Sequence, residues 1–148
     1  MKKYKGHWLK RVRLKKNLRQ KHLAGDRYTR QYISMVEKGD TKLSPSAREY
    51  ITKRLKLPKK YFDTGLFKEE RKELDILIKE ADRLIKKQFF EKAEDKVLKA
   101  LSISKEAKND DYLNIFSVKL ARILIETKRL NKAEAILKKT NKYFGEEK

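Results

Sequence analysis

Apolar side chains recur three and four positions apart along most of this chain, which is the spacing of one face of an α-helix. In the N-terminal part this pattern predicts helices over about 8–17, 19–24, 29–38 and 45–56, with one more helical turn over 58–62. Only 5 glycines and 2 prolines interrupt the 148 residues. The pattern therefore predicts an all-α protein.

Longer helices are predicted after Asp63-Thr64-Gly65, over about 67–87, 90–108, 111–127 and 131–144. We therefore place the domain boundary at Gly65, which gives an N-terminal domain of residues 1–65 and a C-terminal domain of residues 66–148. The four C-terminal helices are predicted to pair as two helical hairpins.

A small residue on each helix marks where the two helices of a hairpin should approach closely. Ala81 lies twelve positions before Ala93, and Ala121 lies twelve positions before Ala133. The offset from Ala93 to Ala133 is 40 residues, against about 34 for a standard tetratricopeptide repeat. The positions predicted to face inward are Leu77, Ala81, Leu84, Phe90, Ala93, Val97 and Ala100 in the first hairpin, and Ser117, Ala121, Leu124, Leu130, Ala133, Leu137 and Thr140 in the second.

The second and third predicted helices meet at a tight connection that begins at Gly25. Thr29 is predicted to cap the third helix and Gly39 to end it, while Ser44-Pro45 is a typical helix start. Two short helices joined in this way form a helix-turn-helix, in which the second helix is free to enter a DNA major groove.

Charge points to the same kind of partner. Residues 1–67 carry 20 Lys and Arg against 5 Asp and Glu, a net charge of +15, whereas residues 68–148 carry 21 against 16, a net charge of +5. Such a basic half should attract a polyanion. A lysine-rich or heat-adapted proteome is the other explanation, but that bias would spread over the whole chain.

Several classes of function find no support in the residues. The chain has no cysteine, and His7 and His22 stand alone in the sequence, so neither a metal site nor a cofactor is expected. No combination of side chains suggests catalysis, and we expect no enzymatic activity. No apolar run is long enough to cross a bilayer, and no signal-peptide pattern opens the chain, so a cytoplasmic protein is expected.

Five segments of the basic half resemble the Xre/Cro/C1-type helix-turn-helix of phage and bacterial repressors. They are Gln-Lys-His-Leu-Ala at 20–24, Thr-Arg-Gln-Tyr-Ile-Ser at 29–34, Glu-Lys-Gly at 37–39, Pro-Ser at 45–46 and Leu-Lys-Leu-Pro at 55–58. The resemblance covers residues 8–62 and implies a five-helix lambda-repressor-like domain. Residues 66–148 are similar to tetratricopeptide repeats, and this order of domains resembles the peptide-responsive bacterial regulators, whose repeats bind signalling peptides and form dimers.

The chain departs from the family pattern at three points. Arg19 stands where the second helix usually has a Ser or Thr cap, and Asp26-Arg27-Tyr28 replaces the usual Leu-Gly-Val. The second half has room for only two repeats, fewer than the peptide-responsive regulators usually carry.

The resemblance assigns roles to the exposed positions of the third helix and its surroundings. The expected contacts with DNA bases come from Thr29, Arg30, Gln31, Ser34 and Met35. Arg30 could pair with guanine and Gln31 with adenine, although Arg30 could instead meet a phosphate or solvent, and Met35 could pack beneath the helix. The expected contacts with DNA phosphates come from Gln20, Lys21, Lys38, Lys42, Lys10 and Arg13. Glu37 is expected to be structural and to pair with a basic residue of the first helix, such as Arg13.

In the second half, the first helix of each hairpin should line the concave side of the repeats. Polar residues there are either candidates for contact with a peptide or protein ligand or ordinary solvated residues: Asn114, Ser117, Lys119 and Arg122. Apolar residues near the open end of the repeats suggest self-association: Ile115, Phe116, Ile123, Ile136, Tyr143 and Phe144.

These observations predict a transcriptional regulator that binds double-stranded DNA as a dimer and recognises a specific sequence. The alternative is a repeat-type adaptor or antitoxin-like protein whose basic half binds nucleic acid without sequence preference.

Overall fold

The computed structural model describes the backbone of residues 5–145 and the side chains of residues 5–140. This part of the chain is all α-helical and contains no strand, which confirms the predicted fold class. The chain forms two compact units, residues 1–68 and 69–148. The helices are α1 (Lys5–Lys15), α2 (Gln20–Ala24), α3 (Arg30–Lys38), α4 (Pro45–Arg54) and α5 (Tyr61–Thr64), followed by α6 (Lys68–Lys86), α7 (Phe90–Glu106), α8 (Asp110–Glu126) and α9 (Leu130–Gly145).

The first unit packs its five helices around one apolar core. Every helix contributes fully buried side chains to this core, which include Trp8, Leu9, Val12, Leu23, Ile33, Val36, Ala47, Ile51, Tyr61 and Phe62. The hydroxyl of Tyr61 donates a buried hydrogen bond of 2.7 Å to the carbonyl oxygen of Trp8. Because short helices are marginal on their own, this shared core fixes where each of them lies.

Capping residues lie at the starts of α3 and α4 and at the end of α3, where the sequence predicts them. The hydroxyl oxygen of Thr29 accepts a 3.1 Å hydrogen bond from the backbone N–H of Tyr32, and that of Ser44 accepts a 3.2 Å bond from the N–H of Ala47. Gly39 ends α3 in the left-handed conformation, with φ of 84°. Caps of this kind stabilise a helix by about 1 kcal/mol each, so the ends of α3 are well defined.

The second unit consists of the two predicted hairpins. The ion pairs Glu80–Lys96 and Glu73–Lys99 join α6 to α7 in reverse order along the chain, so these helices are antiparallel. All four predicted small residues are buried: Ala81, Ala93, Ala121 and Ala133. Their lack of bulk allows the close approach that the sequence predicts.

Four details of the sequence prediction were wrong. Helix α1 begins at Lys5, not near residue 8, and Leu14, predicted to share an apolar stripe with Trp8, Leu9 and Val12, is 59% exposed. Leu130 and Leu137 were expected to face inward, but they are 59% and 37% exposed because α9 is the last helix described and only one of its sides is covered.

The prediction of exposed apolar residues near the end of the repeats was partly wrong. Phe116 and Ile123 are completely buried in the core of the second unit, so they are not available for self-association. Ile115 is 41% exposed, and Ile136 is half-buried. The side chains of Tyr143 and Phe144 lie outside the described residues.

Candidate nucleic-acid interface

Helix α3 has one buried and one open face. Ile33 and Val36 are buried in the core of the first unit, and Tyr32 is half-buried. The open face carries the predicted base-contacting residues of the helix and Lys38, with Ser34 half-buried and Met35 38% exposed. At 100° per residue these positions span an arc of about 140°, which suits a single groove. The residues on this face are Arg30, Gln31, Ser34, Met35 and Lys38.

Thr29 lies at the start of this face and is exposed, but its hydroxyl already makes a hydrogen bond within the helix. The oxygen caps α3 by accepting the N–H of Tyr32. A hydroxyl keeps its own hydrogen as a donor while it accepts a bond. Thr29 can therefore cap the helix and still donate to an outside acceptor.

The back of α3 is joined to the first two helices through Glu37. This carboxylate accepts two hydrogen bonds from the guanidinium of Arg13, at 2.6 and 3.2 Å, and one of 3.0 Å from the side-chain amide of Gln20. The side chains of Arg13 and Glu37 are only 16% and 5% exposed. The predicted pair of Glu37 with Arg13 is thus confirmed, and the fork geometry ties α3 to α1 and α2.

This network bears on two of the predicted phosphate contacts. Both the guanidinium of Arg13 and the side-chain amide of Gln20 point at Glu37. The structure therefore gives these two residues a role inside the first unit. Their contact with phosphate stays a prediction.

The lysines predicted to meet phosphates are all exposed: Lys10, Lys21, Lys38 and Lys42. Within the part of the chain that the structure describes, none of these four forms an ion pair. Of the 5 acidic residues in residues 1–67, Glu37, Glu49 and Asp63 bind basic partners. The positive charge of the first unit is therefore left open to a polyanion.

Three aromatic rings and a guanidinium, whose contacts the sequence does not predict, surround the turn before α3. Tyr28 and Tyr32 stack with their ring centroids 5.3 Å apart, and Tyr28 lies 5.7 Å from the ring of Tyr50. Arg54 of α4 donates hydrogen bonds to carbonyl oxygens of His22 and Leu23. Apart from the Tyr28–Tyr32 stack, these contacts join residues more than twenty positions apart, so periodicity along the sequence carries no sign of them.

The four candidate ligand contacts of the second unit have different surroundings. Asn114 and Ser117 are half-buried, and the ammonium of Lys119 is paired with Asp82. Only Arg122 lines a cleft of about 390 Å³, together with Asp82, Ile85, Lys86, Gln88, Phe90 and Glu126. Lys119 reaches the same cleft only through its partner Asp82, and a shared ligand site for the four side chains stays a prediction.

Two further contacts change the titration of side chains in the second unit. Hydrogen bonds from Arg129 to Glu94 hold the pKa of that carboxyl below its usual value. Burial of the Tyr112 phenol, together with its 2.6 Å hydrogen bond to Asp75, raises the pKa of Tyr112 to about 12. The first contact joins α7 to the turn before α9, and the second joins α6 to α8, so both hold elements of the second unit together.

Neither a metal site nor a membrane span is evident in the described residues. No group of three or more His, Cys, Asp or Glu side chains in this part of the chain could hold a metal ion. No helix here has both the length and the apolar character needed to cross a bilayer.

Comparisons with known proteins give one structural similarity. No protein-family model matches this chain, and no curated protein does so. The crystal structure of Bacillus thuringiensis PlcR in complex with the peptide PapR7 and DNA is similar at 18% sequence identity, with a TM-score of 0.47, over 96% of this chain and 51% of the PlcR chain. This chain thus spans about half the length of the PlcR chain. Similarity at this level does not say what this chain binds.

Proposed function

We propose that this protein is a sequence-specific DNA-binding transcriptional regulator and that α3 enters the major groove. The observation that carries the proposal is the open face of α3, where Arg30 and Gln31 project from a helix whose other face is buried. Arg and Gln are the side chains that form paired hydrogen bonds with guanine and adenine in the major groove. The rest of the first unit holds this face in place through Glu37 and the core.

Exposed lysines would supply the contacts that place the protein on the duplex without reading its sequence. Lys38 and Lys42 flank the end of α3, and Lys21 lies on α2, so all three belong to the helix-turn-helix or to the loop that follows it. Lys10 on α1 is a further candidate. Arg13 and Gln20 stay in this set as proposed contacts, although each already donates to Glu37.

We further propose that the protein binds as a dimer. Two recognition helices would then meet two half-sites about 34 Å apart on a roughly palindromic sequence. Apolar side chains on α8 and α9 support self-association: Ile115, Val118 and Ile125 are 41–52% exposed, and Leu130 is 59% exposed. Arg122, which lines the cleft of the second unit, supports a peptide or protein ligand on the repeats.

The proposal is tested by selection from a pool of random duplex DNA at about 150 mM salt, where screening weakens purely electrostatic binding. We expect a two-fold symmetric motif to be enriched. The double variant Arg30→Ala, Gln31→Ala should lose this enrichment, whereas the control Lys59→Ala, a change of one exposed charge outside the helix-turn-helix, should keep it. Retention without enrichment, lost as salt rises, would contradict the proposal and favour an adaptor or antitoxin-like protein.

A further inference from the structure

The last carbonyl groups of α2 are satisfied in an unusual way. Helix α2 has only five residues, and its N-cap Arg19 makes no side-chain cap. At its other end the carbonyl of Lys21 accepts the N–H of Gly25, and that of Ala24 accepts the N–H of Tyr28, both at 3.2 Å. The carbonyls between them, which a helix end normally leaves unpaired, accept hydrogen bonds from the guanidinium of Arg54.

Arg54 comes from α4, about thirty positions further along the chain, so this bond fixes one helix to another. A positive charge at a helix C-terminus is also favourable because of the helix dipole. At its N-terminus α2 is held by the bond from Gln20 to Glu37 of α3. The short helix is therefore tied at one end to α3 and at the other to α4.

Gly25 allows the guanidinium to come this close. Its φ of 61° and ψ of −146° lie in a region that side chains with a Cβ rarely adopt. A Cβ at this position would overlap the Tyr50 hydroxyl and would lie 2.7 Å from a terminal nitrogen of Arg54. The turn and the two α4 side chains thus fit against each other without spare room.

Tyr50 joins this contact to the start of α3. Its ring lies 5.7 Å from that of Tyr28, which itself stacks on Tyr32 in the first turn of α3. The guanidinium carbons of Arg27 and Arg54 lie 5.5 and 6.0 Å from the centre of the Tyr50 ring. A chain of contacts therefore runs from Arg54 through Tyr50 and Tyr28 to the recognition helix.

We propose that Arg54 is a positioning residue for α3: it holds the end of α2 and the turn after it, and so fixes the angle at which Arg30 and Gln31 reach the bases. This inference rests on the proposed function. Arg54 itself does not contact DNA in this proposal. One terminal nitrogen of its guanidinium donates to the carbonyl groups of both His22 and Leu23.

The test compares three variants on two duplexes, the sequence recovered by selection and a scrambled version of it. Arg54→Ala should weaken binding to the recovered sequence about tenfold, the loss expected when charged hydrogen bonds no longer fix the turn. It should weaken binding to the scrambled duplex no more than the control Lys53→Ala, which removes the same charge from the neighbouring position. Arg54→Lys should recover part of the preference because an ammonium can still donate to one of the carbonyls.

Equal loss on both duplexes would overturn the proposal, since it would make Arg54 a phosphate contact. Unchanged preference in Arg54→Ala would overturn it as well. Fluorescence of Trp8, which is buried in the first unit, checks that every variant is folded under the conditions of the binding test.

A second measurement separates this inference from the proposed function. Hydrogen exchange at the amides of residues 25–28 should be faster in Arg54→Ala than in Lys53→Ala, with or without DNA. If the wild-type protein shows no sequence preference but exchange is faster as expected, the proposed function fails and the positioning of the turn stands. If exchange at these amides is unchanged, the positioning role fails.

Discussion

The two units of this protein are built from the same kind of helix but use their charges differently. In the second unit, basic and acidic side chains bind each other between different elements, as in Lys96–Glu80, Lys99–Glu73 and Arg129–Glu94. In the first unit 20 basic residues face only 5 acidic ones in residues 1–67. The pair that joins helices most firmly there, Arg13–Glu37, is largely buried.

This difference separates charges that are paired within the fold from charges that are open to a partner. In the second unit several basic side chains are paired with acidic ones on neighbouring elements. In the first unit the buried pair fixes α3 from behind, and the exposed basic residues in front of it are open to solvent. A high net charge thus indicates an oppositely charged partner only where the charges are not already paired within the fold.

The largest effect on stability should come from removing the buried carboxylate of the first unit. Glu37→Ala leaves Arg13 with an unpaired charge and Gln20 without its acceptor, so we expect the free energy of unfolding to fall by about 2–4 kcal/mol. Trp8 is the only tryptophan and is buried in the first unit, so its fluorescence in a urea titration follows this unit alone.

The matched control for Glu37→Ala is Glu49→Ala, which removes an exposed carboxylate paired with Lys53 in the same unit. Its unfolding midpoint should be nearly that of the wild type, because exposed pairs contribute little. Equal midpoints for the two variants would contradict the distinction between the buried pair and the surface pairs.

Gly6→Ala tests how closely the elements of the first unit approach each other. Replacing a helical glycine by alanine normally stabilises a helix by about 0.5–1 kcal/mol. Gly6 lies within α1, where a Cβ would overlap the carbonyl oxygen of Val36 at the end of α3. We therefore expect the opposite sign, a loss of about 1–3 kcal/mol, in the same fluorescence titration. A gain in stability would show that α1 and α3 are not in close contact.

Lysines of the two units should differ in their effect on DNA affinity. Lys38→Ala and Lys42→Ala should each weaken binding to recovered and scrambled duplexes alike, by several-fold, and lower the slope of log K against log salt by about 1. Lys99→Ala, whose side chain is exposed but paired with Glu73 in the second unit, should leave both quantities unchanged. Fluorescence anisotropy of a labelled duplex at four salt concentrations measures both.

The smallest effect concerns alkaline pH and the second unit. Because the pKa of Tyr112 is raised to about 12 in the folded protein, against about 10 in an unfolded chain, the neutral phenol favours folding. This contribution is fully present below pH 10 and is lost as the pH rises towards 12. The melting temperature, measured by far-UV circular dichroism, should therefore fall less steeply between pH 10 and 12 in Tyr112→Phe than in the wild type. Parallel curves for the two proteins would contradict the raised pKa of Tyr112, which burial and the hydrogen bond to Asp75 cause.

Most of the fold could be predicted from the sequence because its signals are local. Thr29, Gly39 and Ser44-Pro45 mark helix ends through contacts with residues only a few positions away, and all three are confirmed. Ala81 and Ala93 are both buried, as their spacing predicts. Helix number and type were therefore accessible without a structure.

What could not be predicted depends on contacts between distant residues. Nothing near Arg54 in the sequence shows that its guanidinium reaches the carbonyls of α2. Phe116 and Ile123 were misjudged because burial on α8 depends on how other helices cover it. Likewise the pattern that marked Gln20 as a phosphate contact could not show that Glu37 holds its amide.

The most direct test of the central claim is a methylation interference experiment on the recovered duplex. Methylation of guanine at N7 blocks the major groove, whereas methylation of adenine at N3 blocks the minor groove. If α3 reads bases in the major groove of two half-sites, the bound fraction should lack N7-methylated guanines at two positions about 10 base pairs apart. Interference only at adenine N3, or none at all, would contradict the claim that α3 is the element that reads DNA.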